Sequence, residues 1–287
     1  MFGVTFERLL IEYPSIGSVV RKALPLRPGG RPLPRIDHSG QSIYSLTALP
    51  IDYGVGAVGI TTTRNGFAKH LCVPDDSIIY VGKVIQSTAT AWMREQKGLS
   101  NTTPVSKEEA LEYVRKINPP KDFDLLIDDA CTSRVVQAIE KNLYLPIILD
   151  TKLLWLLLLM GKDCPILLAQ SLPRNLAQIT IGFTCATNVA NDRHTKRDKS
   201  PGYKPTSDDL ALAAAQRRER YEGDQRAFKK QYRVSYTPKT IFQGLNMVVD
   251  TTYLTPEQQV EKITQYLIRR YGSNPTAMQT LGLLPSK

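Results

Sequence analysis

The sequence has few of the side chains on which metal and redox chemistry depend. It contains four cysteines and three histidines among 287 residues. Cys72, Cys131, Cys164 and Cys185 lie far apart, and no two of them have the spacing of a zinc ribbon or of a CxxC pair. We therefore expect reduced thiols, no metal centre and no cofactor.

The sequence motifs of common enzyme classes are also lacking. His38, His70 and His194 lie in separate segments, and none belongs to an HExxH pattern. The chain has no GxSxG elbow, and no glycine-rich segment ends in Gly-Lys-Ser or Gly-Lys-Thr. The sequence GVGAVG at 54–59 has the glycine spacing of a GxGxxG dinucleotide loop, but the patterns around it do not predict the strand–helix unit that such a loop needs, so we interpret this segment as a strand. No catalytic residue is predicted, and the sequence favours a non-enzymatic protein.

A basic leader and a long apolar run are missing too. Glu7 and Glu12 lie where a secretory signal would have its basic region and apolar core. The run Leu153–Met160 is apolar, but as a helix it would span about 12 Å, against roughly 30 Å for the core of a bilayer. We interpret it as a buried helix that Pro146 introduces and Gly161 ends. The predicted location is the cytoplasm or a virion or ribonucleoprotein particle, without secretion.

Positive charge is abundant. The chain has 37 Lys and Arg against 27 Asp and Glu, a net charge of +10 and a pI near 9.4. Such an excess favours acidic partners, with nucleic acid first and an anionic membrane surface second.

The order of patterns along the chain predicts an α+β fold. It would have a small N-terminal antiparallel β-meander, a mostly α-helical body and extended terminal arms. The predicted divisions are an N-terminal helix or arm with a Pro-Gly-Arg loop at 1–40, a meander lobe at 41–100, a helical body at 101–272, which includes a basic loop and helix at 192–233, and a C-terminal arm at 273–287.

The meander is predicted from four short apolar runs. They are Ser42–Leu49, Val55–Thr62, Phe67–Val73 and Ser77–Ile85. Asn65-Gly66 lies between two of them, and Asn-Gly is the preferred pair of a type I′ hairpin turn. On this interpretation His70 lies in a strand.

Helix starts are marked by three capping pairs. They are Ser106 with Glu109, Thr206 with Asp209, and Thr255 with Gln258. The third pair is followed by Pro256 at the first helical position, and its helix is expected to bury Val260, Ile263 and Leu267 and to stop before Gly272. The segment 174–190 fits either a strand or a packed helix.

The densest positive charge lies between Arg193 and Arg233, where 12 Lys and Arg face six Asp and Glu. The segment 192–206 is predicted to be an exposed loop. The helix that follows would be anchored by a stripe of Leu210, Ala214, Tyr221 and Phe228, which leaves one flank basic. Cations near the end of a helix also complement its dipole, but that explanation does not extend to a loop.

A basic loop beside a basic helix is suited to a phosphate backbone. The predicted nucleic-acid contacts are Arg193, Lys196, Arg197, Lys199, Lys204, Arg218, Arg226, Lys229, Lys230 and Arg233. Tyr203, Tyr232 and Tyr236 lie among them, where they could stack on unpaired bases, although packing against the body of the protein is the more common role for each of them taken singly.

The predicted function is therefore that of a structural protein. The expected protein is an oligomeric RNA-coating nucleoprotein or capsid-type protein, which binds single-stranded RNA through its phosphate backbone without strong sequence specificity. Self-association would use the terminal arms. One alternative is a peripheral matrix or scaffold protein that binds acidic membrane through the same basic face.

The other alternative is a metal-dependent nuclease. The carboxylates of Asp122, Asp124, Asp128 and Asp129 could hold a divalent metal, and in a strand Asp122, Asp124 and Asp128 would share one face. Against a metal site, Asp128 and Asp129 precede a helix start predicted at Thr132, where acidic residues favour the helix N-terminus.

A short motif is similar to one found in nucleases. Tyr80-Val-Gly-Lys83 resembles the second half of the GIY-YIG nuclease motif, and Arg94 follows it as the arginine of that family would. The Gly-Ile-Tyr strand of the family occurs nowhere in the sequence, so the resemblance implies no membership.

Overall fold

The computed structural model describes residues 42–49, 56–116, 123–141, 146–150, 177–197, 199–233, 235–237 and 245–284. The predicted N-terminal arm and Pro-Gly-Arg loop and the predicted apolar helix at Leu153–Met160 lie outside the described residues.

The strands form one parallel sheet. The central strand β1 (Ser42–Ala48) lies between β3 (Ile147–Asp150) and β4 (Ala177–Thr184), with β2 (Ile78–Tyr80) outside β3 and β5 (Met247–Asp250) outside β4. All four pairings are parallel. The mixture of helices and strands is confirmed, but the antiparallel meander is wrong, because parallel neighbours require crossover connections instead of hairpins.

Helices lie on both faces of the sheet. Within the described ranges they are α1 (Ile60–His70), α2 (Val81–Lys97), α3 (Lys107–Lys116), α4 (Phe123–Lys141), α5 (Thr187–Lys196), α6 (Ser207–Tyr232), α7 (Pro256–Tyr271) and α8 (Pro275–Thr280). One core cluster packs α2, α3, α4 and α6 on the sheet, and a second packs α1, α5, α7 and α8 on the other face. Neighbouring β1 residues divide between them, with Ile43 in the first and Tyr44 in the second.

The hairpin predicted at Asn65-Gly66 is wrong, because both residues lie inside α1. Thr63, Arg64 and Phe67 are buried at helical spacing on this element. A Cβ on Gly66 would lie 3.1 Å from Cγ2 of Val260, so the glycine permits close packing of α1 on α7. His70 is exposed in the last turn of α1 instead of lying in a strand.

Several boundaries are also settled. Ser42–Leu49 is confirmed as β1, whereas only the short β2 lies within Ser77–Ile85. The residues after Pro146 form β3 instead of starting a helix. The ambiguous segment 174–190 contains β4 followed by the start of α5.

The three predicted capping pairs lie at the starts of helices. Thr206 with Asp209 opens α6 and Thr255 with Gln258 opens α7, each as a complete capping box. The amide of Glu109 donates to Ser106 Oγ at 3.1 Å. Helix α7 buries Val260, Ile263 and Leu267 and ends before Gly272, as predicted.

The C-terminal segment packs on the same chain. Leu281 is buried, and its carbonyl oxygen accepts a hydrogen bond of 2.8 Å from the Tyr44 hydroxyl. Ser42 Oγ donates to the carbonyl of Thr280 at 2.9 Å, so α8 and the following turn complete the core beside β1. Among the described residues, no helix has both the length and the apolar character needed to cross a membrane.

Candidate functional site

The connection from β1 to α1 lies at the carboxyl edge of the sheet. In the sequence, four residues separate Gly54 from Gly59, and Ile60 and Thr61 follow. This spacing matches the phosphate-binding loop GxxxxGK(S/T) at both glycines and at the threonine, with isoleucine in place of lysine. That loop connects a strand to a helix, as this segment does. The interpretation of this segment as a strand is wrong for the residues that the structure describes, because 56–59 are irregular and Ile60 begins α1.

The backbone of this connection has an unusual conformation. Positive φ angles occur at Gly56 (97°), Ala57 (56°) and Gly59 (85°). For a residue with a side chain, such as Ala57, this conformation costs about 1–2 kcal/mol. Alternating left- and right-handed residues can direct successive N–H groups into one concavity, which suits an anion. We call Gly56–Gly59 the glycine-rich loop.

The glycine-rich loop leads directly into the N-terminus of α1. Gly59 is the N-cap residue, and no side chain within the described part of the chain caps this helix. Thr61 and Thr62, in the first turn, are exposed. The N–H groups of a first helical turn have no partner inside their own helix, so together with the helix dipole they attract negative charge.

Thr251, directly after β5, holds the glycine-rich loop in position through hydrogen bonds. Its hydroxyl lies 3.0 Å from the carbonyl oxygen of Val58 and 3.1 Å from that of Thr184, to which it can donate. It also accepts a hydrogen bond of 2.9 Å from Nη1 of Arg193, whose Nη2 donates to the Thr251 carbonyl at 2.8 Å. Because these groups join β4, β5 and α5 to the loop, its position is set by the body of the fold.

Two guanidinium groups approach the glycines themselves. Nη1 of Arg220 lies 3.6 Å from the position that a Cβ would take on Gly56, and Nη1 of Arg193 lies 3.9 Å from the corresponding position on Gly59. Positive charge therefore lies at the loop although its sequence has isoleucine at the lysine position.

Arg217 is a further arginine of this region that the sequence analysis did not select. It is only 2% exposed on α6, and its Nη1 donates to Oδ1 of Asn191 on α5 at 2.6 Å. Burial raises the pKa of the nearby Cys185 thiol, and the charges of Arg193 and Arg217 lower it in part. One feature of the sequence did mark Arg217: it lies four residues before Tyr221, on the buried stripe of α6.

Asp150, the last residue of β3, forms a buried ion pair with Arg64 of α1. Nη1 of Arg64 lies 2.9 Å from Oδ2 of Asp150, and the two side chains are 9% and 15% exposed. Burial raises the pKa of the Asp150 carboxyl, while the charges of Arg64 and Arg220 lower it in part. Arg220 is also the arginine whose Nη1 lies 3.6 Å from the Cβ position of Gly56.

The residues predicted to contact nucleic acid fall into separate places. Arg193 and Lys196 lie in the last turn of α5, so the predicted loop at 192–206 is wrong at its start. Arg193 is bound to Thr251, and Lys196 pairs with Asp192 at 2.8 Å. The exposed members are Lys196, Arg197, Lys199, Lys204, Arg218, Arg226, Lys229, Lys230 and Arg233.

These exposed residues do not form one compact patch. The His194 ring lies 3.0 Å from Oε1 of Gln216, which places the end of α5 beside the middle of α6. Lys229 and Lys230 lie about 20 Å further along the axis of α6, at 1.5 Å per residue. Arg226 is partly engaged, with Nη1 3.8 Å from Oε2 of Glu222.

The tyrosines predicted to stack on bases are placed differently from one another. Tyr236 is 1% exposed and stacks on Phe228 with ring centroids 4.8 Å apart, so of the two alternatives it is packed in the core and does not offer its ring to bases. Tyr203 donates to Oδ2 of Asp209 at 2.6 Å. The side chain of Tyr232 lies outside the described residues.

The acidic cluster proposed for metal binding is not on a strand. Asp124, Asp128 and Asp129 belong to α4, which begins at Phe123 and continues through Thr132, while Asp122 lies outside the described residues. The shared strand face is therefore wrong. No group of three or more His, Cys, Asp or Glu that could hold a metal occurs in the part of the chain that the structure describes.

Comparison with known proteins adds no assignment. No family model and no curated protein matches the chain. An uncharacterised protein from Eubacterium ventriosum is similar in structure with a TM-score of 0.44 and 8% identity, over 79% of this chain and 98% of that one. Shikimate kinase from Bacteroides thetaiotaomicron is similar with a TM-score of 0.38 and 13% identity, over 81% of this chain and 98% of that one. Similarity at these TM-scores does not establish a shared fold or function.

Proposed function

We propose that the chain binds the phosphate groups of a nucleotide at the glycine-rich loop. The observation that carries the proposal is the backbone of Gly56–Gly59, where positive φ angles lead into an N-terminus of α1 that has no side-chain cap. Backbone amides in such an arrangement bind anions. The guanidinium groups of Arg220 and Arg193 add positive charge at the same loop.

The position of the loop in the sheet favours a ligand larger than a single phosphate. In strand order, β1 lies between β3 and β4, and the chain proceeds to β2 on one side and later to β4 on the other. Ligands of open α/β sheets bind in the crevice at such a switch point, at the carboxyl ends of the strands. Tyr253, 88% exposed after β5, offers an aromatic surface at the same edge for a base.

The proposed activity is binding of the phosphate groups and not phosphoryl transfer. In loops of this type the lysine reaches the β- and γ-phosphates, and the position is occupied here by Ile60. An aliphatic side chain supplies neither the charge nor the donors of that lysine.

Calorimetric titration with ATP and GTP, each compared with pyrophosphate, tests the proposal. Gly59→Val places a branched side chain at a φ of 85°, and we expect at least about tenfold weaker binding. Gly98→Val is the matched control, because Gly98 also has a positive φ (61°) but ends α2 in open space. Equal ATP affinity in both variants, with folding verified by thermal melting, would contradict the proposal.

We propose RNA binding as a second candidate function, supported by the exposed cations of α6. Arg218, Arg226, Lys229 and Lys230 are all exposed. Such a face would bind a phosphate backbone by counterion release. The nucleoprotein or capsid-type interpretation needs an oligomer as well, so purification without nuclease, followed by the 260/280 absorbance ratio and particle size, tests it. Monomers free of nucleic acid would count against it, and vesicle flotation would reveal a membrane-binding protein instead.

A further inference from the structure

The buried ion pair between Arg64 and Asp150 joins the helix that follows the glycine-rich loop to the carboxyl end of β3. Asp150 ends β3, which is the direct neighbour of β1 in the sheet. In phosphate-binding loops of this type, the serine or threonine of the motif and an aspartate of this kind hold the magnesium ion. Here the corresponding residues are Thr61 and Asp150. Arg64 follows Thr61 by three residues, so both lie on one side of α1.

The guanidinium group of Arg64 is held in place by several partners. Besides its 2.9 Å contact with Asp150, it donates from Nε and Nη2 to Oδ1 of Asn65 at 3.1 and 3.0 Å. Its central carbon lies 4.6 Å from the centre of the Tyr80 ring. The side chain is buried, and arginine stays charged in proteins. A fixed positive charge therefore lies against the carboxylate.

These residues do not fit a magnesium ion. A divalent cation at Asp150 would have to displace a buried guanidinium group, or share the carboxylate with it at a few ångströms. Separating the pair would leave a charge buried without a partner, which is unfavourable. The contacts of Arg64 with Asn65 and Tyr80 oppose such a displacement.

We propose that the glycine-rich loop binds the phosphates of a nucleotide without a divalent cation, with the guanidinium groups of Arg64 and Arg220 providing the positive charge. This inference rests on the proposed nucleotide binding. Arg64 contacts the carboxylate that would hold the cation, and Arg220 lies beside Gly56 and lowers the pKa of Asp150 by its charge. Arginine forms charge-assisted, frequently bidentate hydrogen bonds with phosphate, so it can replace part of what a cation contributes.

The test is the affinity for ATP measured by calorimetry in EDTA and in millimolar Mg²⁺. For the unaltered chain we expect the two dissociation constants to agree within about threefold. In Arg64→Gln the carboxylate of Asp150 is released, and we expect weaker binding in EDTA that Mg²⁺ restores by about tenfold or more. The double variant Arg64→Gln, Asp150→Asn is the matched control, in which we expect no restoration. Thermal melting shows that each variant is folded, and Arg64→Lys serves as a second, charge-retaining variant that should stay independent of Mg²⁺.

The outcomes separate this inference from the function on which it rests. If the unaltered chain binds ATP only with Mg²⁺, the inference is overturned and nucleotide binding stands. If Arg64→Gln gains no response to Mg²⁺, Arg64 is not what excludes the cation, and the inference is also overturned. If ATP binds under neither condition, both the inference and the proposed function fail.

Discussion

Two regions of this protein are rich in arginine and lysine, and they differ in how the charges are held. Around the glycine-rich loop, Arg64 and Arg193 are buried or half-buried and have defined hydrogen-bond partners, whereas Arg220, which lies beside Gly56, is exposed. On the outer face of α6, Lys229 and Lys230 are exposed. The first region has fewer charges but a fixed geometry, whereas the second has mainly a local excess of charge.

Arg217 and Arg218 show the contrast at neighbouring positions. The side chain of Arg217 is buried and donates to Asn191, whereas that of Arg218 is exposed. Net charge treats the two residues as equal, and the sequence analysis selected the exposed one. The comparison shows that a charged residue on the buried stripe of a helix is the better indicator of a site. The burial of its charge is unfavourable unless hydrogen bonds or an opposite charge compensate it, so its position is fixed by specific contacts.

The largest expected effect comes from removing one partner of the buried ion pair. Asp150→Ala leaves the Arg64 guanidinium buried without its carboxylate, so we expect a loss of about 3–5 kcal/mol in the free energy of unfolding. Denaturant titration measures it. The exposed pair of Lys97 and Glu109 is the control, and Glu109→Gln should cost less than about 1 kcal/mol. Equal losses in the two variants would show that burial does not distinguish the two ion pairs.

The next effect concerns ATP affinity and two arginines of α6. Arg220→Ala removes the guanidinium group that lies beside Gly56, so we expect ATP binding to weaken by roughly 10- to 100-fold, as for the loss of a charge-assisted hydrogen bond. Arg218→Ala, two positions away and exposed, should leave ATP affinity unchanged. Calorimetric titration measures the ATP affinity of both variants. An equal loss of affinity in the two would show that the overall charge of α6, and not the position of Arg220 beside Gly56, is what matters.

Charge reversal at the C-terminal end of α6 tests the exposed region of the comparison. The double substitution Lys229→Glu, Lys230→Glu should weaken binding of single-stranded RNA and reduce the slope of log affinity against log salt by about 0.7 for each lost phosphate contact. ATP affinity should be unaffected. Fluorescence anisotropy with a labelled oligonucleotide across a salt series measures the slope, and an unchanged slope would remove the outer face of α6 as an RNA contact.

The smallest effect is a pH dependence at the start of α6. The hydrogen bond from Tyr203 and those from Thr206 lower the pKa of Asp209 to about 2. Because the folded pKa is below its ordinary value, the stabilisation is present above that ordinary value and is lost as pH falls through about 2. Asp209→Asn should therefore melt below the unaltered chain at neutral pH, and the difference should disappear near pH 2. A difference that is constant with pH would show that the carboxylate charge is not involved.

Local patterns predicted local structure well. The capping boxes at Thr206 and Thr255 and the buried stripe of α7 are in the structure, because caps and amphipathic helices depend on residues a few positions apart. The hairpin at Asn65-Gly66 failed for a reason of tertiary packing. Gly66 accommodates Val260 of α7, a contact that the sequence around it does not contain.

The sheet and the site depend on contacts between distant segments. Strands β2 and β3 have three and four residues, too few for a periodic pattern. The ion pair of Arg64 with Asp150 joins residues 86 positions apart. The sequence GVGAVG has the glycines of such a loop, but Ile60 follows where a phosphate-binding loop has lysine, and the neighbouring apolar runs predicted strands.

The central claim, that the glycine-rich loop holds the phosphates of a nucleotide, is tested most directly by following backbone amides. In ¹⁵N–¹H correlation spectra recorded during titration with ATP, we predict the largest shifts for Gly56, Ala57 and Gly59 and for the first turn of α1, with smaller shifts of the same amides in pyrophosphate. Shifts confined to Lys229 and Lys230 on α6, or no shifts at saturating ATP, would contradict the account.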